Sequence, residues 1–485
     1  MTLTALRDDA LVTTPRGFAL RLALPWIRSM PLAAVSDLEV VVDGESLAGE
    51  ALVLLGERLI APADLHGEPG WWFLQDALEL HIDRALSAGP HSVLVSFSLM
   101  VPYLPAGPDA PLTLPFRSER ALTLVAAEAT TSSPGPALAR PRSAAAAPDV
   151  GEAATAGLPG GWTLAASGFN WTPEIIDRER SALDITVGIV ADGVAEVVEI
   201  EAGQVWRSFP SPGGQEVDAL RDGLASAGGR LGIVGGSIDD WRSPTRRRTE
   251  AERYDFVLPQ LEAAHRAGAL GLRLPIGHAG PALQERLLPV LHELDLTLFE
   301  EVQGQQTPQA PAHREACERI ALLDDPRLRF VVDISLLMPS LPPSYVERLA
   351  AAGVPADLVR RLSDEWLDPA TIDAVRGLLG SGGVPPAVHT LYMDLLIRFG
   401  RSSVEELTGI LPYTSAVHLK FWDLDDSSDR ISQPIRDIAA ALAGTGFAGT
   451  LTSEWGGHAW LDDDPTEMTR GHLTLAGRAI REGIA

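Results

Sequence analysis

The stretch ALGLRLPIGHAGPALQERLLPVLHELDLTLFEE, residues 269–301, contains the unit that decides the fold of this chain. Two short apolar runs, ALGLRLPI and LTLFEE, flank the helix-like segment GPALQERLLPVLHEL. A strand, a helix and a second strand in this order are typical of a parallel sheet with helices on its outside. This part of the sequence therefore predicts an α/β fold.

The same alternation continues on both sides of that unit, from Trp162 to the C-terminus. Eight strand candidates occur there: WTLAAS, VAEVVEIE, GRLGIVGG, ALGLRLPI, LTLFEE, LRFVVDIS, SAVHLKF and AGTLTSE. Eight such units within residues 162–485 suit a TIM barrel and are too many for a small doubly wound sheet. We therefore expect an α/β TIM barrel over this range.

The interval between the sixth and seventh strand candidates is too long for a loop. It contains four helix-like segments: SYVERLAAAG, PADLVRRLSDEWL, PATIDAVRGLLG and SSVEELTGILP. We expect a helical insertion over residues 334–413. Because this insertion follows a strand end, it is expected to rise from the catalytic face of the barrel.

Residues 1–126 are predicted to form strands rather than helices. Val93, Val95 and Phe97 alternate with serines, which is the period of a strand with one buried face. The pair Asp43-Gly44 suits a tight hairpin turn. About six such segments predict an all-β, sandwich-like domain at 1–126, and the Ala/Pro-rich stretch 127–161 is predicted to be a linker to the barrel.

Composition excludes several classes of function. Acidic residues outnumber basic ones by 65 to 39 among 485 residues, and the net charge of −26 repels nucleic acids and anionic membranes. No apolar run approaches the ~18 residues of a membrane span. A single cysteine, Cys317, and an N-terminus without a secretion pattern favour a cytoplasmic protein.

Four consecutive late strands end in side chains that can bind metals: Glu301, Asp333, His418 and Glu454. The carboxyl ends of barrel strands share one mouth, so groups distant in sequence converge there. Three carboxylates and one imidazole suit Mn²⁺, with Mg²⁺ or Zn²⁺ as alternatives. The competing interpretation is that each residue caps its strand end by hydrogen bonding.

Two further residues are candidates for proton transfer. Lys420 is the only lysine in the chain and lies two residues after His418, so both side chains are expected to face inward. His278 ends the fourth strand, where its imidazole is suited to general acid or base work. The alternatives are a lysine retained by chance and a histidine that bonds the backbone at a helix start.

Candidate substrate contacts follow other strands of the barrel. They are Asn170, Trp206, Arg207, Gln303 and His458. Aromatic faces with a few polar groups suit a sugar or an aryl ring. The tryptophan is otherwise a core residue, and His458 is otherwise a residue of a surface loop.

These residues resemble a known family. The order Glu, Asp, His, Glu on strands five to eight is similar to the metal set of the xylose-isomerase-like superfamily of isomerases and epimerases. The N-terminal segments GFALRLALPWIRSMPLAAVSDLEVVVDGESL and HSVLVSFSLMVPYLP resemble the β subunit of C-glycoside deglycosidases. In that family a metal-dependent barrel forms the α subunit, so the chain resembles a β part, a linker and an α part fused together.

The resemblance implies a carbon–carbon lyase that acts on 3-oxo-C-glycosides. A base removes the proton at C2, and the aglycone, for example a flavonoid polyphenol, is eliminated from C1. We nominate His278 as the base and Lys420, or another acid, as the proton donor to the aglycone, with Mn²⁺ as the expected metal. A separate sugar 3-oxidoreductase would supply the substrate, and we expect a homo-oligomer.

Two other functions stay open at this point. A ketose or sugar-phosphate epimerase or isomerase would use the same metal and an enediolate. Epimerases of the superfamily often carry histidines at the places that Gln303 and Leu336 occupy here. A non-catalytic carbohydrate-binding protein on a decayed barrel is the third possibility.

Overall fold

The computed structural model describes residues 3–107, 109–126 and 157–485. Most of the predicted linker, residues 127–156, lies outside this range. Within the described residues the chain forms an N-terminal region of β sheets followed by a closed barrel of eight parallel strands. The predicted fold, an α/β TIM barrel preceded by an all-β region, is confirmed.

All eight strand candidates of the C-terminal part are barrel strands, and they pair in chain order around the barrel. They are β12 (Trp162–Ser167), β13 (Val197–Glu201), β14 (Arg230–Gly235), β17 (Gly271–Pro275), β18 (Thr297–Val302), β19 (Leu328–Asp333), β20 (Thr414–Phe421) and β21 (Gly449–Trp455). A short hairpin, β15 (Trp241–Ser243) and β16 (Arg246–Arg247), follows the third of these strands. Apolar side chains fill the barrel interior below its mouth: Ile233, Phe299, Val331 and Ala416.

Helices surround the barrel strands. They are α1 (Thr172–Asp177), α2 (Ala182–Ala191), α3 (Ala202–Val205), α4 (Gly214–Ser226), α5 (Glu250–Arg266), α6 (Gly280–Glu293), α7 (Pro311–Leu323), α12 (Ser432–Ala443) and α13 (Pro465–Ile484). Local sequence explains where several of them begin. Thr249 and Glu252 form a capping box at the start of α5, and Asp464 accepts hydrogen bonds from two backbone amides at the start of α13.

The insertion after β19 carries four helices: α8 (Pro343–Ala351), α9 (Ala356–Asp364), α10 (Pro369–Gly380) and α11 (His389–Ile397). They pack around their own apolar core, where Phe399 contacts Tyr345 and Trp422 edge to face. The sequence predicted the first three helices but not α11. The fourth predicted segment, SSVEELTGILP, forms only short 3₁₀ turns, since Gly409 and Pro412 interrupt a longer helix.

The N-terminal region consists of two larger sheets and one short ribbon. The first sheet contains β1 (Leu6–Thr14), β2 (Gly17–Ala23), β9 (Ala77–Ile82), β6 (Leu52–Leu55) and β7 (Arg58–Ile60). The second contains β11 (Pro111–Thr123), β10 (Pro90–Pro105), β4 (Val35–Val42) and β5 (Glu45–Ser46), and the ribbon pairs β3 (Met30–Pro31) with β8 (Trp71–Trp72). The sequence had missed β1.

Alternation along β10 explains how these sheets close over a core. Val93, Val95 and Phe97 are buried, and burial of each such side chain contributes about 1.5–3 kcal/mol. Asp43 and Gly44 take positive φ of 50° and 81° in the turn between β4 and β5, as that pair predicted.

The β region contacts the barrel where the second and third barrel strands end. Ser29 N–H donates to the carbonyl oxygen of Gly203 at 2.9 Å, and Gln204 Nε2 donates to the carbonyl oxygen of Ile27 at 2.8 Å. Trp71 packs edge to face on Phe209 of the barrel, with ring centroids 5.1 Å apart. The segment between β2 and β3 therefore lies at the mouth of the barrel. In the part of the chain that the structure describes, no helix has the length and apolar character needed to cross a membrane.

Candidate metal centre and active site

The four predicted metal ligands lie together at the mouth of the barrel. One donor atom from each of Glu301, Asp333, His418 and Glu454 lies within 4.8 Å of the others. His418 Nδ1 is 2.7 Å from Glu301 Oε1 and 2.7 Å from Glu454 Oε2. The two-residue period of a strand explains this convergence, because each ligand on β18, β19 and β20 follows an interior side chain by two positions.

The donor atoms of this cluster are buried and incompletely used. Asp333 Oδ2, His418 Nδ1 and Glu454 Oε2 are shielded from solvent. His418 Nδ1 and Glu454 Oε2 contact each other, whereas Asp333 Oδ2 has no hydrogen-bond partner among the described residues. A buried polar atom without a partner is costly and requires an explanation in a folded protein. An unpaired carboxylate oxygen within a carboxylate-rich ligand set fits a divalent cation.

His418 is held from behind by Glu199 of β13. Its Nε2 lies 3.0 Å from Glu199 Oε1, which leaves Nδ1 directed at the other ligands. Burial alone would lower the pKa of His418, but Glu199, Glu454 and Glu301 together raise it well above its usual range. A carboxylate that bonds the second nitrogen of a ligating histidine fixes both its tautomer and its orientation.

Arg273 of β17 bonds to three carboxylates at the floor of the site. It donates from Nε to Glu199 at 2.9 Å, from Nη1 to Glu301 at 2.6 Å, and also to Glu201. Burial raises the pKa of Glu201 to about 7, although Arg273 opposes that shift. A fixed guanidinium therefore balances part of the negative charge that the carboxylates bring together.

Lys420 reaches the same cluster from β20, as its position two residues after His418 predicts. Its Nζ donates to Glu454, and it lies 5.1 Å from the ring centroid of Phe169 and 5.6 Å from that of Trp422. Burial alone would raise the pKa of Glu454, but Lys420 and His418 hold it well below its usual range. The lysine thus donates a hydrogen bond to a metal-ligand candidate.

A cavity of about 270 Å³ opens above these groups. Its floor is lined by charged side chains, namely Glu201, Arg273, Glu301, Lys420 and Glu454. Its mouth is lined by aromatic and basic side chains, namely Phe169, Trp422, Tyr103, Arg28 and Arg398. A site with a polar, metal-capable floor and with aromatic and basic side chains at its mouth suits a ligand with a sugar at one end and a ring at the other.

His278 also lines this cavity. Its Nε2 lies 3.5 Å from Asp240 Oδ2, and the carbonyl oxygen of His278 accepts a hydrogen bond from Arg253. The residue precedes α6 in a turn, where its backbone N–H donates to the carbonyl oxygen of Pro275 at 3.0 Å. Asp240 therefore engages Nε2, and Nδ1 is the ring nitrogen that it does not contact.

Gln303 is the one predicted substrate contact that lines the cavity, and its Nε2 donates to Glu301 at 3.3 Å. Asn170 is buried and bonded to Ser453, Thr469 and Trp455, which places it in the support of the barrel wall.

Three further predicted substrate contacts also lie outside the cavity lining. Trp206 and Arg207 line a different surface depression, where Arg207 pairs with Asp76 at 2.8 Å. His458 is neither on the surface nor in the cavity. It is buried against Phe169 and Trp455, and burial lowers its pKa to about 3.

Residue type alone did not reveal several groups of the site. Glu199, Glu201 and Arg273 stand on strands that are otherwise apolar, and the pattern EIE at the end of β13 was the available signal. Charged side chains at alternate positions of a buried parallel strand require partners inside the barrel. Arg28 and Tyr103 carried no comparable signal, since their approach to the barrel depends on how the two regions pack.

No family model matches the chain. It is 30% identical over 304 residues to a C-glycoside deglycosidase alpha subunit of Arthrobacter globiformis, a match that covers 61% of this chain and 86% of that relative. A 3′-dehydrocarminate deglycosidase alpha subunit of a Microbacterium species is 28% identical over 332 residues, covering 65% of this chain and 94% of the relative. The beta subunit of the same name from a Microbacterium species is 37% identical over 101 residues, covering 20% of this chain and 76% of the relative.

Proposed function

The chain belongs to the C-glycoside deglycosidase family, with similarity to both an alpha and a beta subunit in one polypeptide, and we propose that it cleaves the carbon–carbon glycosidic bond of 3-oxo-C-glycosides. The relatives are named for deglycosidation, which makes this chain an enzyme that acts on C-glycosides. The oxidised substrate, the lyase chemistry and the metal dependence are our proposal.

The observation that carries the proposal is the arrangement of the cavity floor. Four metal-capable donors converge beneath a space that two proton-transfer candidates, His278 and Lys420, also line. A site that only binds carbohydrate needs hydrogen bonds to hydroxyl groups, and it gains nothing from a buried carboxylate oxygen without a partner, such as Asp333 Oδ2. This arrangement supports removal of a proton next to a carbonyl group.

The chemistry of the bond explains why the sugar must carry a ketone. A C-glycoside has no basic glycosidic oxygen, so the paired-carboxylate hydrolysis of ordinary glycosides gives little help. A ketone at C3 acidifies the hydrogen at C2. When bound by Glu301, Asp333, His418 and Glu454, a divalent cation, for which we propose Mn²⁺ over Mg²⁺ or Zn²⁺, acts as a Lewis acid on the keto oxygen.

The residues of this chain then move two protons. His278 Nδ1 takes the proton from C2, while Asp240 beside Nε2 stabilises the imidazolium that forms. The electrons of the C2–H bond become a C1=C2 double bond, and those of the C1–aryl bond leave with the aryl carbon. Lys420 Nζ, held against Glu454, protonates that carbon. The products are an unsaturated 3-oxo sugar and the free aglycone.

The same chemistry specifies what must act before this enzyme. We propose that a separate sugar 3-oxidoreductase supplies the substrate, because the elimination starts from a sugar that already carries a ketone at C3. An electron-rich polyphenol such as a flavonoid is the aglycone we propose, because its aryl carbon accepts a proton readily. Assembly into a homo-oligomer stays a prediction that light scattering of the purified chain tests.

The decisive experiment is incubation of the full chain with a 3-oxo-C-glucoside of a polyphenol and Mn²⁺, with and without a chelator. We expect release of the free polyphenol with the metal and none after chelation. The unoxidised C-glucoside is the control and is expected to remain intact. Proton exchange on free ketoses without polyphenol release would contradict the proposal and favour an epimerase, while polyphenol release that survives chelation would remove the metal from the mechanism.

A further inference from the structure

We propose that the N-terminal β region forms the aglycone-binding wall of the active site, with Arg28 and Tyr103 in contact with a planar aryl group that bears acidic hydroxyls. The identity of this ligand as an aglycone rests on the function proposed above. The wall itself rests on the cavity, which residues of both regions line: Ile27, Arg28 and Tyr103 from the β region, and Phe169, His278 and Trp422 from the barrel.

The contact that places this wall is built into the fold. Arg28 lies between β2 and β3, and its Nη2 lies 2.5 Å from Asp239 Oδ1 in the loop after β14. The carboxylate is fully buried and the arginine side chain is 12% exposed. On either side of Arg28, Ser29 N–H donates to the backbone of α3, and the carbonyl oxygen of Ile27 accepts from the side chain of Gln204 in α3. This shielded ion pair holds the segment between β2 and β3, which carries Arg28, at the cavity.

The guanidinium of Arg28 can donate more hydrogen bonds than it donates in this structure. It lies 4.0 Å from the ring centroid of Tyr103 and 5.5 Å from that of Phe209. Its Nε and Nη1 have no hydrogen-bond partner among the described residues. Trp26 Nε1 donates to the hydroxyl of Tyr103 at 2.7 Å, which holds that ring in place. A planar cation stacked on a fixed ring is suited to a phenolate or an electron-rich ring.

The chemistry of the two ends of the cavity orients the substrate. Carbons C1 to C3 of the sugar must reach the metal-capable floor and His278, so a group attached at C1 points toward the mouth. There the side chains of Tyr103 and Trp422 line the cavity, and Arg398 of the insertion lines it as well. The sugar therefore contacts the barrel alone, whereas the aglycone contacts the β region.

Binding of the two halves of the substrate tests this division. Calorimetric titration of the full, Mn²⁺-supplied chain with 2,4,6-trihydroxyacetophenone measures the aryl end, and titration with methyl 3-oxoglucoside measures the sugar end. We expect Arg28→Lys and Tyr103→Leu each to weaken the polyphenol by about tenfold and to change the sugar ketone by less than about twofold. Arg28→Lys keeps a cation beside Asp239, so the loop remains docked.

The matched control is Arg7→Lys. Arg7 Nη1 donates to the carbonyl oxygen of Asp177 at 2.7 Å, so this arginine crosses the same boundary but lines no part of the cavity. Unchanged polyphenol affinity in both test variants, an equal loss with Arg7→Lys, equal weakening of both ligands, or no polyphenol binding by the unaltered chain would each overturn the inference. A chain that binds the polyphenol as expected but releases none from a 3-oxo-C-glucoside would refute the proposed function and leave the wall established.

Discussion

Two halves of the barrel mouth face each other across the cavity and differ in how they are built. The half formed by β18 to β21 carries the four metal-ligand candidates and Lys420. The opposite half, formed by β13 and β17, carries Glu199, Glu201 and Arg273 and is covered by the β region. The first half holds the metal-ligand candidates. Side chains of the second half bond to two of them, His418 and Glu301.

The side chains of the two halves interact across the barrel and form one electrostatic unit. Glu199 of one half holds His418 of the other, and Arg273 links Glu199 to Glu301. The carboxylates of the floor outnumber its permanent cations, Arg273 and Lys420. A divalent cation would balance this excess, which burial in a low dielectric makes expensive.

The largest effect is expected when the metal half loses a ligand. Glu301→Gln and Glu454→Gln each keep the side-chain volume but remove a charge, so we expect kcat/KM to fall by about 10³-fold or more together with bound metal. Turnover of a 3-oxo-C-glucoside and elemental analysis measure the two effects. Glu300→Gln, a neighbouring carboxylate bonded to Gln284 outside the cavity, is the control. Full activity in either ligand variant would remove that residue from the metal set.

A smaller effect is expected from Lys420→Arg, which separates proton transfer from charge. Arginine preserves a cation beside Glu454 but does not give up its proton, so kcat is expected to fall by about 10²-fold with metal content unchanged. The rate of product formation at saturating substrate measures kcat. A variant with normal kcat would show that another group protonates the aglycone.

The two halves also differ in how far they were predictable. Glu301, Asp333, His418 and Glu454 end consecutive strands in an order that is informative by itself, and the eight strands followed from alternating apolar runs. Glu199 and Arg273 belong to no sequence motif. Their role depends on which side chains face them across the barrel, and a local sequence pattern does not contain that information.

Packing between distant regions was also beyond the reach of the sequence. The approach of Arg28 to Asp239 depends on how a β region docks on the barrel, and local pattern contains no information on that contact. The same reason explains why Asn170 lies in the barrel wall and Trp206 lines a different surface depression, although both follow strand ends.

The opposite half is tested by Glu199→Gln, compared with Glu201→Gln two residues along the same strand. Glu199 bonds His418 and Glu201 does not, so we expect metal affinity to fall about 10–100-fold in the first variant and to stay nearly unchanged in the second. Competition with a metal-binding dye measures both. Equal affinities in the two variants would mean that Glu199 does not orient the ligand.

The smallest effect is expected behind the metal half, where His472 of α13 supports β20 and β21. Its ring stacks on Phe421 with centroids 3.9 Å apart, and its Nδ1 lies 2.8 Å from Ser453 Oγ. Burial lowers its pKa from 6.5 to about 3. Between these two values the unfolded chain binds a proton that the folded chain does not, so the free energy of unfolding decreases as pH falls from about 6.5 toward 3, by at most about 1.4 kcal/mol per pH unit.

Thermal unfolding of His472→Gln at pH 7, 6 and 5 should show a weaker pH dependence than the unaltered chain, while His66→Gln, at an exposed position, should not. An identical pH dependence with and without His472 would mean that this histidine is not held neutral in the folded chain.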